Sequence, residues 1–287
     1  MAHALEAAEM LVRRAAGCFS LVVSTMLFAG CLQTTPLDSD PEHTGLIAKN
    51  LQALERRGEP RHPFRFVAMG DTHDEYDDTA SAVEVINSRG DVELVAHTGD
   101  ITDRGLLQEF EWSYEVLGRF KMPLLVAIGN HDAISHGAEI WSKMFGPLDY
   151  SFRFGGLKFV FFNSNALEFP REAPRRDWLR SEIADRGGAR AIVVVTHHPA
   201  RGGDDLPGGD NHEFYDSLIQ SGDIALWIHG HLAEPRLYRV HSTPVLQCGT
   251  FQNDRYYWVV TVDHERLSFE RCFYGACSAW SVEETSR

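Results

Sequence analysis

Short apolar segments alternate with helical patterns through the first half of the chain. The apolar segments are residues 64–69, 93–97 and 123–127, and residues 79–88 and 106–120 carry apolar side chains at helical spacing. Strands that alternate with helices build a parallel sheet with helices on its faces, so the chain is predicted to be α/β. The loops that follow parallel strands collect at one edge of the sheet, where the strands have their carboxyl ends.

The second half adds strands of a different kind. Predicted strands at 151–154 and 157–163 flank Gly155-Gly156, which indicates a hairpin. A helix is predicted at 175–186, and the remaining predicted strands are 191–195, 224–228, 237–240, 245–247, 256–262 and 267–273. The last four are joined by short turns, which predicts an antiparallel end to the fold. We expect one domain at 63–275 and a C-terminal tail at 276–287.

The first thirty residues have the composition of an export signal. Arg13-Arg14 precedes an uncharged stretch of about 15 residues, shorter than the roughly 20 that a membrane-spanning helix needs. Leu27-Phe28-Ala29-Gly30-Cys31 resembles a bacterial lipobox. This resemblance implies a signal peptide at 1–30, a lipid on Cys31 and a lipid-anchored protein of the cell envelope.

Two further expectations concern the N-terminal region. Glu6 and Glu9 are untypical of an export signal, so we expect translation to begin at Met10. Residues 31–62 are predicted to be a solvated tether and a short helix at 44–57.

Composition limits the partners and the state of the cysteines. The chain is 44% hydrophobic, enough for a sizeable core, and its formal net charge is −14. Nucleic-acid surfaces need clustered Lys and Arg, so no such surface is expected. Cys272 and Cys277 flank a short turn, and they form either a small disulfide loop in an oxidising compartment or two free thiols.

Five apolar strands end in loops that carry His, Asp or Asn. In chain order the motifs are Asp71-x-His73, Gly99-Asp100-x-x-Asp103, Gly129-Asn130-His131-Asp132, His197-x-Pro199 and Gly230-His231. Each residue alone has a structural explanation, such as a helix cap, a surface imidazole or a left-handed turn. Their joint occurrence at matching strand ends predicts a metal site.

This set of motifs resembles the calcineurin-like metallophosphoesterase family, from about Phe64 to about Phe273. Thr102-Asp103-Arg104-Gly105 and Asp177-Trp178-Leu179 are also similar to that family, and its cyclic-nucleotide phosphodiesterase-like group is the most similar branch. The resemblance implies an α/β/β/α sandwich of two mixed sheets flanked by helices. It also implies a metal-dependent phosphoesterase that attacks a phosphodiester or phosphomonoester with hydroxide held on metal ions.

The resemblance assigns roles to individual residues. Asp100 would bridge two divalent or trivalent ions, chosen among Mn, Fe and Zn, with Asp71 and His73 on the first ion. The other ion would be held by Asn130, His197 and His231. His131 would protonate the leaving group, with Asp132 orienting its imidazole. Asp103 would hold a ligand in place or, equally, cap the following helix.

One position departs from the family pattern. The last motif usually reads Gly-His-x-His, but here it is Gly230-His231-Leu232-Ala233, so one ligand of the first ion is missing. Water fills the gap, another histidine such as His229 supplies the ligand, or only one ion is tightly bound. The departure raises an alternative function, a catalytically weakened lipoprotein that binds a ligand on the same fold. The substrate class stays open among cyclic nucleotides, other diesters and small monoesters.

Overall fold

The computed structural model of the protein describes residues 37–166, 168–169, 175–200, 210–221, 223–264 and 266–282. The predicted signal peptide, the Met10 start and the lipidated Cys31 lie outside the described residues and stay predictions. Residue contacts divide the chain into Met1–Asp38 and Ser39–Arg287, and every helix and strand named below belongs to the second unit. Within the described ranges, each helix is too short or too polar to cross a membrane.

The first of two sheets is mixed. Its strands are β1 Phe64–Met69, β2 Val92–His97, β3 Leu124–Val126, β10 Tyr256–Asp263, β11 Arg266–Phe273 and β12 Ala276–Trp280, in the order β12-β11-β10-β1-β2-β3. The parallel half, β1 to β3, is the one that the alternating pattern predicts. β10 to β12 continue the sheet in antiparallel fashion beside β1.

The second sheet is also mixed. Its strands are β4 Tyr150–Phe154, β5 Leu157–Phe161, β6 Ala191–Val195, β7 Ile224–His229, β8 Arg236–Val240 and β9 Thr243–Gln247, in the order β4-β5-β6-β7-β9-β8. β5, β6, β7 and β9 are parallel, and β4 and β8 are antiparallel edge strands. Gly155 and Gly156 both have positive φ in the β4–β5 turn, which confirms the predicted hairpin.

The two sheets pack face to face through aromatic side chains. Phe64 and Phe66 of β1 make edge-to-face contacts with Phe154 and Phe159, at ring-centroid distances of 5.6 Å in both pairs. The outer face of the second sheet is covered by two helices, Arg176–Ala184 and Asp210–Gln220, whose apolar residues form one core cluster with β5 and β6. This arrangement confirms the predicted sandwich of two mixed sheets flanked by helices.

The helices are α1 Leu46–Arg57, α2 Tyr76–Arg89, α3 Leu107–Leu117, α4 Asn130–Ala133, α5 Gly137–Met144, α6 Arg176–Ala184, α7 Asp210–Gln220 and α8 Phe251–Asp254. α1 corresponds to the short helix predicted at 44–57, but it was expected to lie outside the domain, and its residues Leu46, Ile47 and Leu54 are buried. The backbone N–H of Ile47 donates to the carbonyl of Phe145 at 3.0 Å. α1 is therefore part of the folded body, which begins before residue 63.

The C-terminal boundary also differs from the prediction. Residues 276–280 are not a tail but the strand β12, so the sheet continues beyond residue 275. Cys272 and Cys277 face each other across β11 and β12 and are joined by a disulfide, while Cys248 is a buried free thiol. Of the two alternatives for this cysteine pair, the structure has the disulfide.

Candidate metal centre

All six predicted metal ligands follow strands at one end of the two sheets. Asp71 and His73 follow β1, Asp100 follows β2, Asn130 follows β3, His197 follows β6 and His231 follows β7. The structure brings five of these side chains into two overlapping groups, Asp71/His73/Asp100 and Asp100/His197/His231, and the Asn130 side chain lies against the second group. Asp100 belongs to both groups, which is the place that a bridging carboxylate occupies.

The backbone at these strand ends is strained. Asp71, His73, Asp100 and His231 have φ of 54°, 45°, 52° and 67°. Residues other than glycine rarely adopt this left-handed backbone conformation. They keep it only where the surrounding structure holds them in place. Strain concentrated at four candidate ligands supports a functional role for these turns.

Two glycines allow the turns to approach each other. A Cβ on Gly129 would lie 2.0 Å from Oδ1 of Asp100, and a Cβ on Gly230 would lie 2.3 Å from Oδ2 of Asp71. Neither position has room for a side chain. Gly230 therefore fixes the motif register at Gly230-His231, since the turn needs a glycine at this point.

Four atoms that can bind a metal ion converge at the second ion position. Nε2 of His197 lies 2.8 Å from Oδ1 of Asn130 and 3.2 Å from Oδ2 of Asp100. Nδ1 of His231 lies 3.1 Å from the same Asn130 oxygen and 3.2 Å from His197 Nε2. A Zn-sized ion with bonds of about 2.1 Å holds neighbouring ligand atoms roughly 3 Å apart, so this set fits a cation without rearrangement.

The first ion position is more deeply buried and less complete. Asp71 Oδ1 accepts the backbone N–H of His231 at 2.9 Å, but Asp71 Oδ2 and His73 Nδ1 are buried with no hydrogen-bond partner among the described residues. Leaving a buried polar atom unpaired costs about 1–3 kcal/mol. A cation between Asp71, His73 and Asp100 would satisfy the orphaned carboxylate oxygen, so these residues also fit a metal.

The buried carboxylates of the site favour a positive charge close to them. Burial, and then the charge of Asp100, raises the pKa of Asp71 well above its ordinary value. Burial alone would lower the pKa of His197, but the neighbouring carboxylates, Asp100 foremost, outweigh burial and raise the pKa to about 9. A metal ion supplies the same positive charge in place of a proton.

His131 lies at the mouth of the site, and its imidazole is oriented by a different residue from the one predicted. Its Nδ1 donates to the backbone carbonyl of Asp103 at 2.7 Å. Asp132 does not contact this ring; it is fully buried and accepts bonds from Thr102 N, Thr102 Oγ1 and Gly129 N, each at 2.9 Å. The predicted orienting role of Asp132 is therefore wrong, and this carboxylate braces the loop instead.

Asp103 lies beside the candidate ligands and does not cap the helix that follows it. Its Oδ1 is 3.8 Å from Nδ1 of His73 and 3.8 Å from Nδ1 of His131. The helix that follows, α3, begins at Leu107, and Glu109 accepts the backbone N–H groups of Arg104 and Leu106 at its start. The helix-cap alternative for Asp103 is thus excluded.

The position of the missing family ligand is not filled by His229. The ring of His229 is fully buried and directed to the hydroxyl of Tyr238, at 3.1 Å from Nε2. Ala233 is exposed, and its carbonyl accepts the N–H of Thr250 at 3.0 Å. Among the described residues, the first position keeps Asp71, His73 and Asp100 alone.

Several residues that support the site lie outside the sequence motifs. Ser164 Oγ accepts the backbone N–H groups of His197 and His198 at 3.2 and 2.9 Å, and the Thr98 carbonyl accepts Nδ1–H of His197 at 3.0 Å. The sequence did contain a sign of Ser164. It lies in the polar triplet Asn163-Ser164-Asn165, which follows the parallel strand β5 just as the other motifs follow their strands. The ring of His198 packs 4.3 Å from His231, so it lies at the site.

Comparisons with known proteins agree with this geometry. A model of the calcineurin-like phosphoesterase family matches residues 64–235, more than half of the chain. No curated protein matches the chain.

Solved structures share the fold at low identity. One is GAP50, the anchor in the inner membrane complex of Plasmodium, at 15% identity and a TM-score of 0.60, covering 78% of this chain and 90% of that chain. Another is the purple acid phosphatase PPD1 of yellow lupin, at 13% identity and 0.60, covering 77% and 53%. A third is a 5'-nucleotidase of Candida albicans, at 14% identity and 0.51, covering 75% and 52%.

Proposed function

Because the chain belongs to the calcineurin-like phosphoesterase family, we propose that it hydrolyses a small phosphodiester or phosphomonoester at the centre formed by its strand-end loops. The observation that carries this proposal is the convergence of His197, His231, Asn130 and Asp100 within hydrogen-bonding distances. Here four potential ligand atoms meet around one point.

The donor set indicates the class of metal. Imidazole mixed with carboxylate and amide oxygen suits Mn, Fe or Zn better than Mg or Ca. When bound, such ions neutralise phosphoryl oxygens and lower the pKa of water so that it becomes a nucleophile at neutral pH. Asp71, His73 and Asp100 would hold one ion, and Asp100, Asn130, His197 and His231 the other.

His131 is the residue suited to the leaving group. Since its Nδ1–H is committed to the Asp103 carbonyl, Nε2 is the nitrogen free to exchange a proton. In the imidazolium form, Nε2–H can be transferred to the departing oxygen. The ring is partly exposed, with 39% of the side chain accessible, so a substrate can reach it.

The second candidate function is a weakened, ligand-binding protein on the same fold. The observation that favours it is Ala233, which leaves three described ligands at the first position. The fold does not distinguish the two candidates, because it is shared by a purple acid phosphatase and by a protein described as an anchor.

Hydrolysis assays on the metal-loaded protein distinguish the two candidates. We expect the wild type to hydrolyse bis-p-nitrophenyl phosphate or p-nitrophenyl phosphate after loading with Mn, Zn or Fe. His131→Ala should lower kcat by about 100-fold or more, the range of general acid–base catalysis. His136→Ala is the matched control, since this exposed histidine lies five residues along the chain and makes no side-chain cap. Protein that binds these metals but hydrolyses neither substrate supports the ligand-binding alternative.

We further propose that the enzyme is anchored in the cell envelope through Cys31 and acts on extracytoplasmic phosphoesters. The lipobox-like segment and the Cys272–Cys277 disulfide both support export. A substrate panel that includes cyclic nucleotides would show which class of phosphoester the protein hydrolyses. Cys31→Ser should move the protein from the membrane fraction to the soluble fraction, and an unchanged distribution would refute the anchor.

A further inference from the structure

A third group of possible ligands lies outside the two ion positions. His73, Asp103 and His131 have ligand atoms within 4.8 Å of one another, and we call them the outer trio. Oδ1 of Asp103 is central, at 3.8 Å from Nδ1 of each histidine. Two atoms 3.8 Å apart can both bond one ion at about 2.1 Å, so Asp103 already stands at bridging distance from both rings.

His73 provides an independent sign of a missing partner. The residue is 8% exposed, and its Nδ1 is buried without a hydrogen-bond partner among the described residues. Its other nitrogen, Nε2, faces the inner position, 3.8 Å from Oδ2 of Asp100. The two nitrogens of one ring therefore face two different ligand groups.

Access differs between the inner and outer groups. Asp71, His73 and Asp100 are all buried, whereas the Asp103 and His131 side chains are 31% and 39% exposed. A cation can reach the outer trio from solvent and keep water among its ligands. The rings of His131 and His73 already lie edge to face, with their centroids 4.8 Å apart.

We propose that the outer trio is an inhibitory cation site, which takes a transition-metal ion such as Zn²⁺ when the metal is in excess. The ion takes the place of the hydrogen bond from His131 Nδ1 to the Asp103 carbonyl, and the ring proton moves to Nε2. A neutral imidazole has one free lone pair, so the outer ion also competes with the inner ion for His73. The inhibitory part of this inference rests on the proposed phosphoesterase activity.

The described residues offer the first ion no fourth ligand, and this makes the competition effective. Ala233 leaves His73 as the single imidazole that the described residues offer to the first ion. Withdrawal of His73 by the outer trio removes one of three ligands there. At the same time, metal on His131 prevents its imidazolium form, which carries the proton for the leaving group. Excess metal is therefore expected to inhibit through both residues.

Equilibrium dialysis of the mature protein with Zn²⁺ tests the site without any need for turnover. We expect a tight class of sites and a weaker class. Asp103→Asn and His131→Gln should each weaken the second class at least about tenfold, because loss of a supporting group alone costs 10–100-fold in metal affinity. Asp74→Asn is the matched control, an exposed acid in the loop after β1 that lies outside the trio, and it should keep both classes.

Activity measured over the same Zn²⁺ range gives the second readout. The wild type should be activated and then inhibited, and Asp103→Asn should shift the inhibition midpoint at least about tenfold higher. Each protein is compared with its own maximum, since Asp103 adjoins His131 and its replacement also alters the basal rate. Inhibition at the same Zn²⁺ concentration in both proteins, or a weak class that survives in Asp103→Asn, overturns the proposal. An inactive protein whose weak class depends on Asp103 would refute the proposed function and leave the outer site standing.

Discussion

Asp132 anchors the loop that carries Asn130 and His131 through three hydrogen bonds. Its two oxygens accept N–H and hydroxyl groups from Thr102 and the N–H of Gly129. Burial, and then the charge of Asp100, raises its pKa to about 7. The side chain is therefore important for the position of the ligand Asn130, although it touches no ligand atom itself.

Replacing this carboxylate should destabilise the protein. Asp132→Asn keeps one acceptor oxygen but turns an NH₂ group toward a backbone N–H donor. We expect the free energy of unfolding to fall by about 1–3 kcal/mol, the cost of an unsatisfied buried polar group. Urea unfolding measures this change. Asp177→Asn, at an almost fully exposed carboxylate on α6, should change stability by less than about 0.5 kcal/mol. Equal effects of the two substitutions would contradict the bracing role.

The residue types at the site could be predicted from the sequence, but the contacts between them could not. Asp132 follows His131 directly and looks like its partner. Both lie in the four-residue helix α4, where consecutive side chains point about 100° apart, so Asp132 faces Thr102 instead. The actual partner of the imidazole is a backbone carbonyl, that of Asp103, and a sequence motif contains no sign of such a contact.

At the scale of elements, α1 was predicted as a short helix outside the domain, but it packs as part of the fold. Ile47 is 1% exposed and lies against the loop after α5, where its N–H bonds to the Phe145 carbonyl. Ile47→Ala should lower the free energy of unfolding by about 2–5 kcal/mol, the range for a large buried aliphatic residue. Gln52→Ala, on the exposed face of the same helix, should change it by less than about 0.5 kcal/mol. Thermal or urea unfolding of the two variants provides the comparison. If Ile47→Ala leaves the free energy of unfolding unchanged, α1 is not part of the folded body.

Strands buried along almost their whole length were the elements best predicted from the sequence. β1 and β6 have the predicted bounds because each is a short apolar run with at most one residue that is not buried. β12 was missed because most of its residues are exposed and its sequence has no alternating pattern. It is held by pairing with β11 and by the disulfide, which are contacts rather than local preferences. α5 was missed because it is short and begins at a glycine.

The centre depends, at the scale of the whole molecule, on how the two sheets meet. Asp71, Asp100 and Asn130 come from the first sheet, and His197 and His231 from the second. The backbone N–H of His231 donates to Asp71 across a separation of 160 residues. A metal ion bound here would link the two sheets and would stabilise the folded state by mass action. Local sequence patterns could place each ligand at a strand end, but not the distance between the sheets.

The acid stability of the whole molecule should depend on His97, a buried histidine that is not a metal ligand. It ends β2, accepts the N–H of Gly99 on Nδ1 at 3.2 Å and lies 3.3 Å from Thr72 Oγ1 through Nε2. Burial lowers its pKa to about 3, while an unfolded chain protonates histidine near pH 6.5. As the pH falls below about 6.5, the unfolded state takes up a proton that the folded state refuses. His97 therefore lowers stability on acidification, by at most about 1.4 kcal/mol per pH unit, until its folded pKa is reached.

Urea unfolding of metal-free protein at pH 7, 6 and 5 tests this dependence against His97→Asn. Asparagine keeps an acceptor for Gly99 but does not titrate, so the variant should be less stable at pH 7 and should lose stability more slowly as the pH falls. Asp132, whose pKa is raised to about 7, acts in the opposite direction, because the folded state holds its proton while the unfolded carboxyl is ionised between about pH 4 and 7. That contribution is present in both proteins and cancels in their difference. If the free energy of unfolding falls equally with pH in both proteins, the prediction is wrong. That result would mean that His97 takes up a proton in the folded state as readily as in the unfolded chain.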